Sequence, residues 1–152
     1  MLQSIKSYFS EYLQPGAAPE ADEHSVRLAT AALLVEAMRA DDTITDEECR
    51  AVERAVSGMF GLSPVETSEL IGLAEQEVRD ATSLYQFTSL VDQYFPLERK
   101  IHIIELLWTV VFSDACKDKH EEYLVRQIAD LLHVPHREFV RTRHVVGSAP
   151  RT

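Results

Sequence analysis

The chain has 152 residues, 45% of them apolar, with 25 acidic against 15 basic side chains and a formal net charge of −10. This is enough for one soluble domain with a sizeable core. Two unpatterned cysteines exclude a disulfide framework, and no apolar run reaches the roughly 18–20 residues a membrane span needs. The charge is uneven. Residues 1–80 hold 16 acidic and 6 basic residues, whereas residues 81–152 hold 9 of each. An acidic surface repels phosphate backbones, which argues against nucleic acid as a partner. No leader peptide is recognisable at the N-terminus, so the expected location is the cytoplasm.

Taken in chain order, every periodic segment reads as helix. Met1–Leu13 places Leu2, Ile5, Phe9, Tyr12 and Leu13 on one face, an amphipathic helix suited to packing on the domain or on a second copy in a homodimer. Residues 14–23 contain Pro15, Gly16 and Pro19 and read as a linker. The domain boundaries that follow are 1–23 for the helix and linker, 24–146 for the main domain and 147–152 for a tail. His24–Ala40 is the first long helix, with Leu28, Ala31, Ala32, Val35 and Met38 as its apolar stripe. Thr45–Phe60 follows; Thr45 and Glu48 have capping-box spacing and Gly61 ends the helix. Ser63-Pro64 starts the next, to about Arg79. Another begins at Thr82 or Ser83 and breaks at Phe95-Pro96.

Pro96–Ser113 is apolar around nearly its whole circumference, which predicts the centre of the core, with His102 a partnered core histidine. Asp118–Leu132 and Pro135–Val146 complete the set. No strand alternation appears. The expected fold is therefore all-α: a compact bundle of about seven helices plus the N-terminal amphipathic helix. The basic residues Arg137, Arg141, Arg143, His144 and Arg151 near the C-terminus suit the negative end of a last, solvated helix.

Two of the turns are related. Asp41 and Asp114 each end an apolar run, and Glu48 and Glu121 each follow after six intervening residues. Leu33-Leu34-Val35 before the first turn matches Leu106-Leu107-Trp108 before the second. Val52, Ala55 and Met59 match Val125, Ile128 and Leu132 after it. A one-residue shift then aligns Gly61-Leu62-Ser63 with His133-Val134-Pro135. An internal duplication of an acidic helix–turn–helix explains this pattern.

Carboxylates gathered at a helix corner repel one another unless a cation or a basic partner sits between them. Asp41, Asp42, Asp46 and Glu48 are the oxygen donors of the first turn, and Asp114, Asp118, Glu121 and Glu122 those of the second. Oxygen-rich sets suit Ca²⁺, and Cys116 with His120 would add zinc-type donors at the second turn. The spacing is not that of an EF-hand loop. The competing reading is structural: acids in a first helical turn complement the dipole, and Thr45 with Glu48 forms a cap. Cys49 reads as a small packing residue, and His133 and His136 as surface or capping groups. Glu-x-x-His pairs, phosphate loops and a Gly-x-Ser-x-Gly elbow are absent, so the chain is not expected to be an enzyme.

A helix ending in Asp (Ala40-Asp41, then Ser113-Asp114), a few residues, and Glu-Glu opening the next helix (Glu47-Glu48, then Glu121-Glu122) resembles the tellurite-resistance TerB family, whose pattern is Ala-Asp-Gly followed by Glu-Glu. The same domain type occurs in the N-terminal part of a membrane-anchored J-domain co-chaperone. The resemblance covers about residues 24–145 and implies an all-helical stress-response domain with divalent cations at its acidic turns. It carries over to Asp41, Glu48, Asp114 and Glu121. The chain departs from the pattern where Asp42 and Ala115 stand in place of a glycine. It has no His-Pro-Asp tripeptide and hence no J domain. Two functions follow as expectations: a cation-binding module, or an acidic protein–protein interaction module, chaperone-associated through a partner, that holds no metal.

Overall fold

The computed structural model describes residues 19–39, 44–81, 83–113 and 119–148. The predicted N-terminal helix lies outside them. Seven α-helices and no strand occur among the described residues: α1 (Pro19–Arg39), α2 (Asp46–Phe60), α3 (Pro64–Asp80), α4 (Tyr85–Tyr94), α5 (Leu97–Val111), α6 (Lys119–Leu131) and α7 (His136–Ser148). The chain is an all-α bundle, as its periodicity predicts.

The ends of these helices are set locally. Thr45 and Ser63 each close a capping box, with Glu48 and Glu66 as the third helical residues. The Ser63 cap donates to Glu66 and holds its carboxyl below the usual range. Ser63 also precedes Pro64, whose missing N–H costs nothing at a first helical position. Pro96 stands before the first residue of α5. The largest boundary difference from the sequence reading is at α1, which begins at Pro19, inside the stretch read as linker by composition. Proline fits a helix start as well as it fits a linker, and composition does not separate the two.

The core is centred on α1, not on α5. α1 packs against α2, α3, α4, α5 and α6. From Ser25 to Met38 every side chain except Arg27 and Glu36 is buried. Ala29, Ala31, Ala32 and Ala37 are the reason: small side chains on several sides let neighbouring helices approach all round. α5 buries Ile103, Ile104, Leu107, Trp108, Val110 and Val111 but keeps a solvent face with Leu97, His102 and Thr109. His102 is thus an exposed residue beside Glu105 (Nδ1 to Oε1, 3.3 Å), not a core histidine.

The duplication is visible in three dimensions. α1 packs on α2 and α3, which pack on each other; α5 packs on α6 and α7, which do likewise. α1 and α5 meet between the two units. Gly61 ends α2 and His133 follows α6, both with φ 62°. In each unit the next N–H bonds five residues back: Leu62 to the Ser57 carbonyl (3.2 Å) and Val134 to that of Ala129 (2.9 Å). Glycine takes this left-handed cap without strain, whereas a histidine there is uncommon. The His133 ring is held by Asp92 of α4 (3.0 Å), which Lys100 of α5 also contacts (2.5 Å).

Candidate functional site

The first acidic corner is built around one buried carboxylate. Thr45 is extended (φ −99°, ψ 160°), so its Oγ1 accepts the Glu48 N–H at 3.2 Å. In return the Thr45 N–H donates to Glu48 Oε1 at 3.0 Å. The cap therefore exists, as the structural reading of this pair predicts, but it uses only one carboxylate oxygen. Glu48 is 0% exposed, and its Oε2 is buried without a hydrogen-bond partner among the described residues. A desolvated carboxylate oxygen left in that state is costly. Asp46 and Glu47, on the same first turn, face solvent. Asp41 and Asp42 lie outside the described residues.

The surroundings are strongly acidic. Cys49, one residue on, is half-buried. Burial first, then the carboxylates of Asp46, Glu53, Glu75 and Glu48, push its thiol above the ordinary cysteine value. A thiol held protonated in this way is a weak nucleophile. Glu36, in the last part of α1, is raised by burial, with Arg39 partly opposing the effect.

The second corner is different. Glu122 is half-buried and receives two bonds on Oε1 from Arg143 of α7, from Nε at 2.8 Å and Nη2 at 2.6 Å. The same guanidinium lies over the rings of Trp108 (5.7 Å) and Phe112 (5.9 Å). Trp108 stacks on Phe112 at 5.5 Å and meets Phe139 at 5.3 Å, and its buried indole N–H has no acceptor among the described residues. Asp114, Asp118 and Cys116 lie outside the described residues, as do the side chains of His120 and Glu121. Among the described residues no group of three or more His, Cys, Asp or Glu side chains converges as a metal would require. Of the eight predicted donors, the structure thus places Asp46 in solvent, Glu48 in the core and Glu122 in an ion pair.

Two features escape sequence reading. Arg143 belongs to a segment that looks like a solvated basic helix, yet its partner is 21 residues away on another helix. Glu53 and Glu75 look like ordinary surface acids. They flank Cys49 in a cleft of about 210 Å³ between α2, α3 and the end of α1. The one local hint is the four-residue spacing of Cys49 and Glu53 on a helix.

A family model described as tellurite resistance protein TerB matches residues 27–144. No curated protein and no solved structure matches the chain. The matched span takes in both capped hairpins and runs from the buried first helix into the last. This duplicated all-helical chain belongs to the TerB family.

Proposed function

We propose that the chain is a non-catalytic TerB-type module whose first acidic corner binds a divalent cation. Glu48 supplies a ligand, and Asp41, Asp42 and Asp46 complete the oxygen set. One observation carries this reading: Glu48 Oε2 is buried and unpartnered although Oε1 is already used by the cap. A hard cation would satisfy that oxygen, and an all-oxygen donor set favours Ca²⁺ over Zn²⁺. At the second corner Arg143 already balances Glu122, which leaves less negative charge for an ion there. The cation would supply structural charge neutralisation, joining the end of α1 to the start of α2.

Glu48→Gln separates the two roles, because glutamine can still close a capping box. In metal-stripped protein, saturating Ca²⁺ is expected to raise stability by about 2.7 kcal/mol at a hundredfold excess over Kd. Glu48→Gln is expected to unfold at or above the wild-type temperature without ion and to lose the Ca²⁺-dependent rise. Thermal unfolding with chelator, Ca²⁺, Mg²⁺, Mn²⁺ and Zn²⁺ in turn decides it. No ion-specific rise, or a rise that survives Glu48→Gln, overturns the assignment.

The second reading is an interaction module for a basic partner. It is favoured by the net −10 carried within residues 1–80. Such binding weakens with salt and ignores chelators. No described helix is long and apolar enough to cross a membrane, and the sparse cysteines suit a reducing compartment such as the cytoplasm.

A further inference from the structure

The cleft between α2 and α3 has a floor and a mouth of different character. Met38 and Val52 are buried and form its floor, with Ile71 partly buried beside them. Glu53 is exposed and Glu75 half-buried, one on each helix, and Cys49 completes the wall. No ion pair to either carboxylate occurs among the described residues. At about 210 Å³ the cleft is smaller than the roughly 300 Å³ at which drug-sized sites begin. It has room for one long side chain. An apolar floor under an anionic mouth matches an alkyl stem with a cationic head, which is how lysine and arginine cover apolar surface.

In sequence register, the second unit of the same chain carries an ion pair at positions that correspond to two residues of this cleft. In the register that pairs Asp41 with Asp114, Cys49 corresponds to Glu122. In the register that pairs Gly61 with His133, Ile71 corresponds to Arg143. Glu122 and Arg143 form the ion pair across α6 and α7, with the guanidinium laid over Trp108 and Phe112. One unit thus places its own arginine between its second and third helices. The other has two carboxylates there, with no ion pair to either among the described residues.

We propose that the α2–α3 cleft docks a basic peptide segment of a partner, which inserts one lysine or arginine side chain. The stem lies on Met38, Val52 and Ile71, and the charged head pairs with Glu53 and Glu75. This site is separate from the cation site at Glu48 and does not depend on it.

The test is an ¹⁵N NMR titration of the full chain, with chelator throughout, using four probes. They are Nα-acetyl-lysine methylamide, Nα-acetyl-arginine methylamide, the neutral norleucine analogue and n-butylammonium. The lysine or arginine probe is expected to shift amides of α2 and α3 around the cleft saturably, with millimolar affinity. The norleucine probe is expected to bind more weakly. The Glu53→Gln/Glu75→Gln double variant, its far-UV circular dichroism unchanged, is expected to lose roughly tenfold in affinity. Equal binding of norleucine, or an unchanged double variant, overturns the proposal. Tighter binding of n-butylammonium than of the blocked amino acids overturns the peptide as occupant in favour of a free amine. Because chelator is present, this result and the Ca²⁺ result succeed or fail separately.

Discussion

The two hairpins, α1–α2 and α5–α6, share an acidic turn and a left-handed cap but handle buried charge in opposite ways. In the first, Glu48 is fully enclosed and hydrogen-bonded to its capping threonine, with one oxygen left over among the described residues. In the second, Glu122 keeps some exposure and is matched by an arginine from the third helix of its unit. Among the described residues the first corner leaves one carboxylate oxygen unpartnered, and the neighbouring cleft carries Glu53 and Glu75 with no ion pair to either. At the second, Glu122 is paired by the chain itself, with an aromatic cluster beneath the guanidinium. The two units thus share the left-handed cap while only the second pairs its half-buried glutamate with an arginine of its own.

The largest expected effect comes from the packing that closes the second corner. Trp108 is 0% exposed and touches Phe112 and Phe139. Trp108→Ala is expected to cost about 3–5 kcal/mol in denaturant unfolding. It should leave intact whatever Ca²⁺-dependent gain the first corner shows. Loss of that gain in Trp108→Ala would mean that the two corners are coupled.

A smaller effect is expected from the ion pair. Arg143→Ala leaves Glu122 without its partner and uncovers the two rings, so a loss of about 1–2 kcal/mol is expected. The cost should shrink when Glu122→Gln is made as well, since the stranded carboxylate is then neutral. Additive losses in that double-mutant cycle would reduce the pair to a surface contact.

The smallest effect distinguishes the two caps by pH. The Lys100 and His133 contacts hold the Asp92 carboxyl below the ordinary aspartate value. Its contribution is therefore fully present above about pH 4, the unfolded aspartate range, and is lost as pH falls through the lower folded value. Asp92→Asn is expected to remove that component of the acid limb and to lower neutral-pH stability by less than about 1 kcal/mol. The glycine cap at Gly61 has no side chain to make such a contact, so no equivalent acid dependence is expected from that cap.

Much of this was readable one residue at a time. Thr45 with Glu48, Gly61, Ser63-Pro64 and Pro96 mark their helix ends because caps act within three or four residues of sequence. The repeat was legible down to the one-residue shift, and the matching φ of Gly61 and His133 bears that register out. The candidate site was legible as an excess of acids at two turns and no further. Glu48 carries the same sequence signal whether it is a solvated first-turn acid or a buried one.

What only the tertiary structure decided is which surfaces meet. An apolar circumference pointed to α5 as the centre, but the alanines of α1 admit neighbours on more sides than the large side chains of α5 do. Burial of Glu48, the reach of Arg143 to Glu122, and the meeting of Glu53 with Glu75 at one cleft each join residues on different helices or depend on how those helices pack. Helix formation and capping follow from short-range backbone bonding, so the sequence by itself determined them. Electrostatic balance at a corner follows from long-range packing, so it was settled only when α2, α3, α6 and α7 found their places.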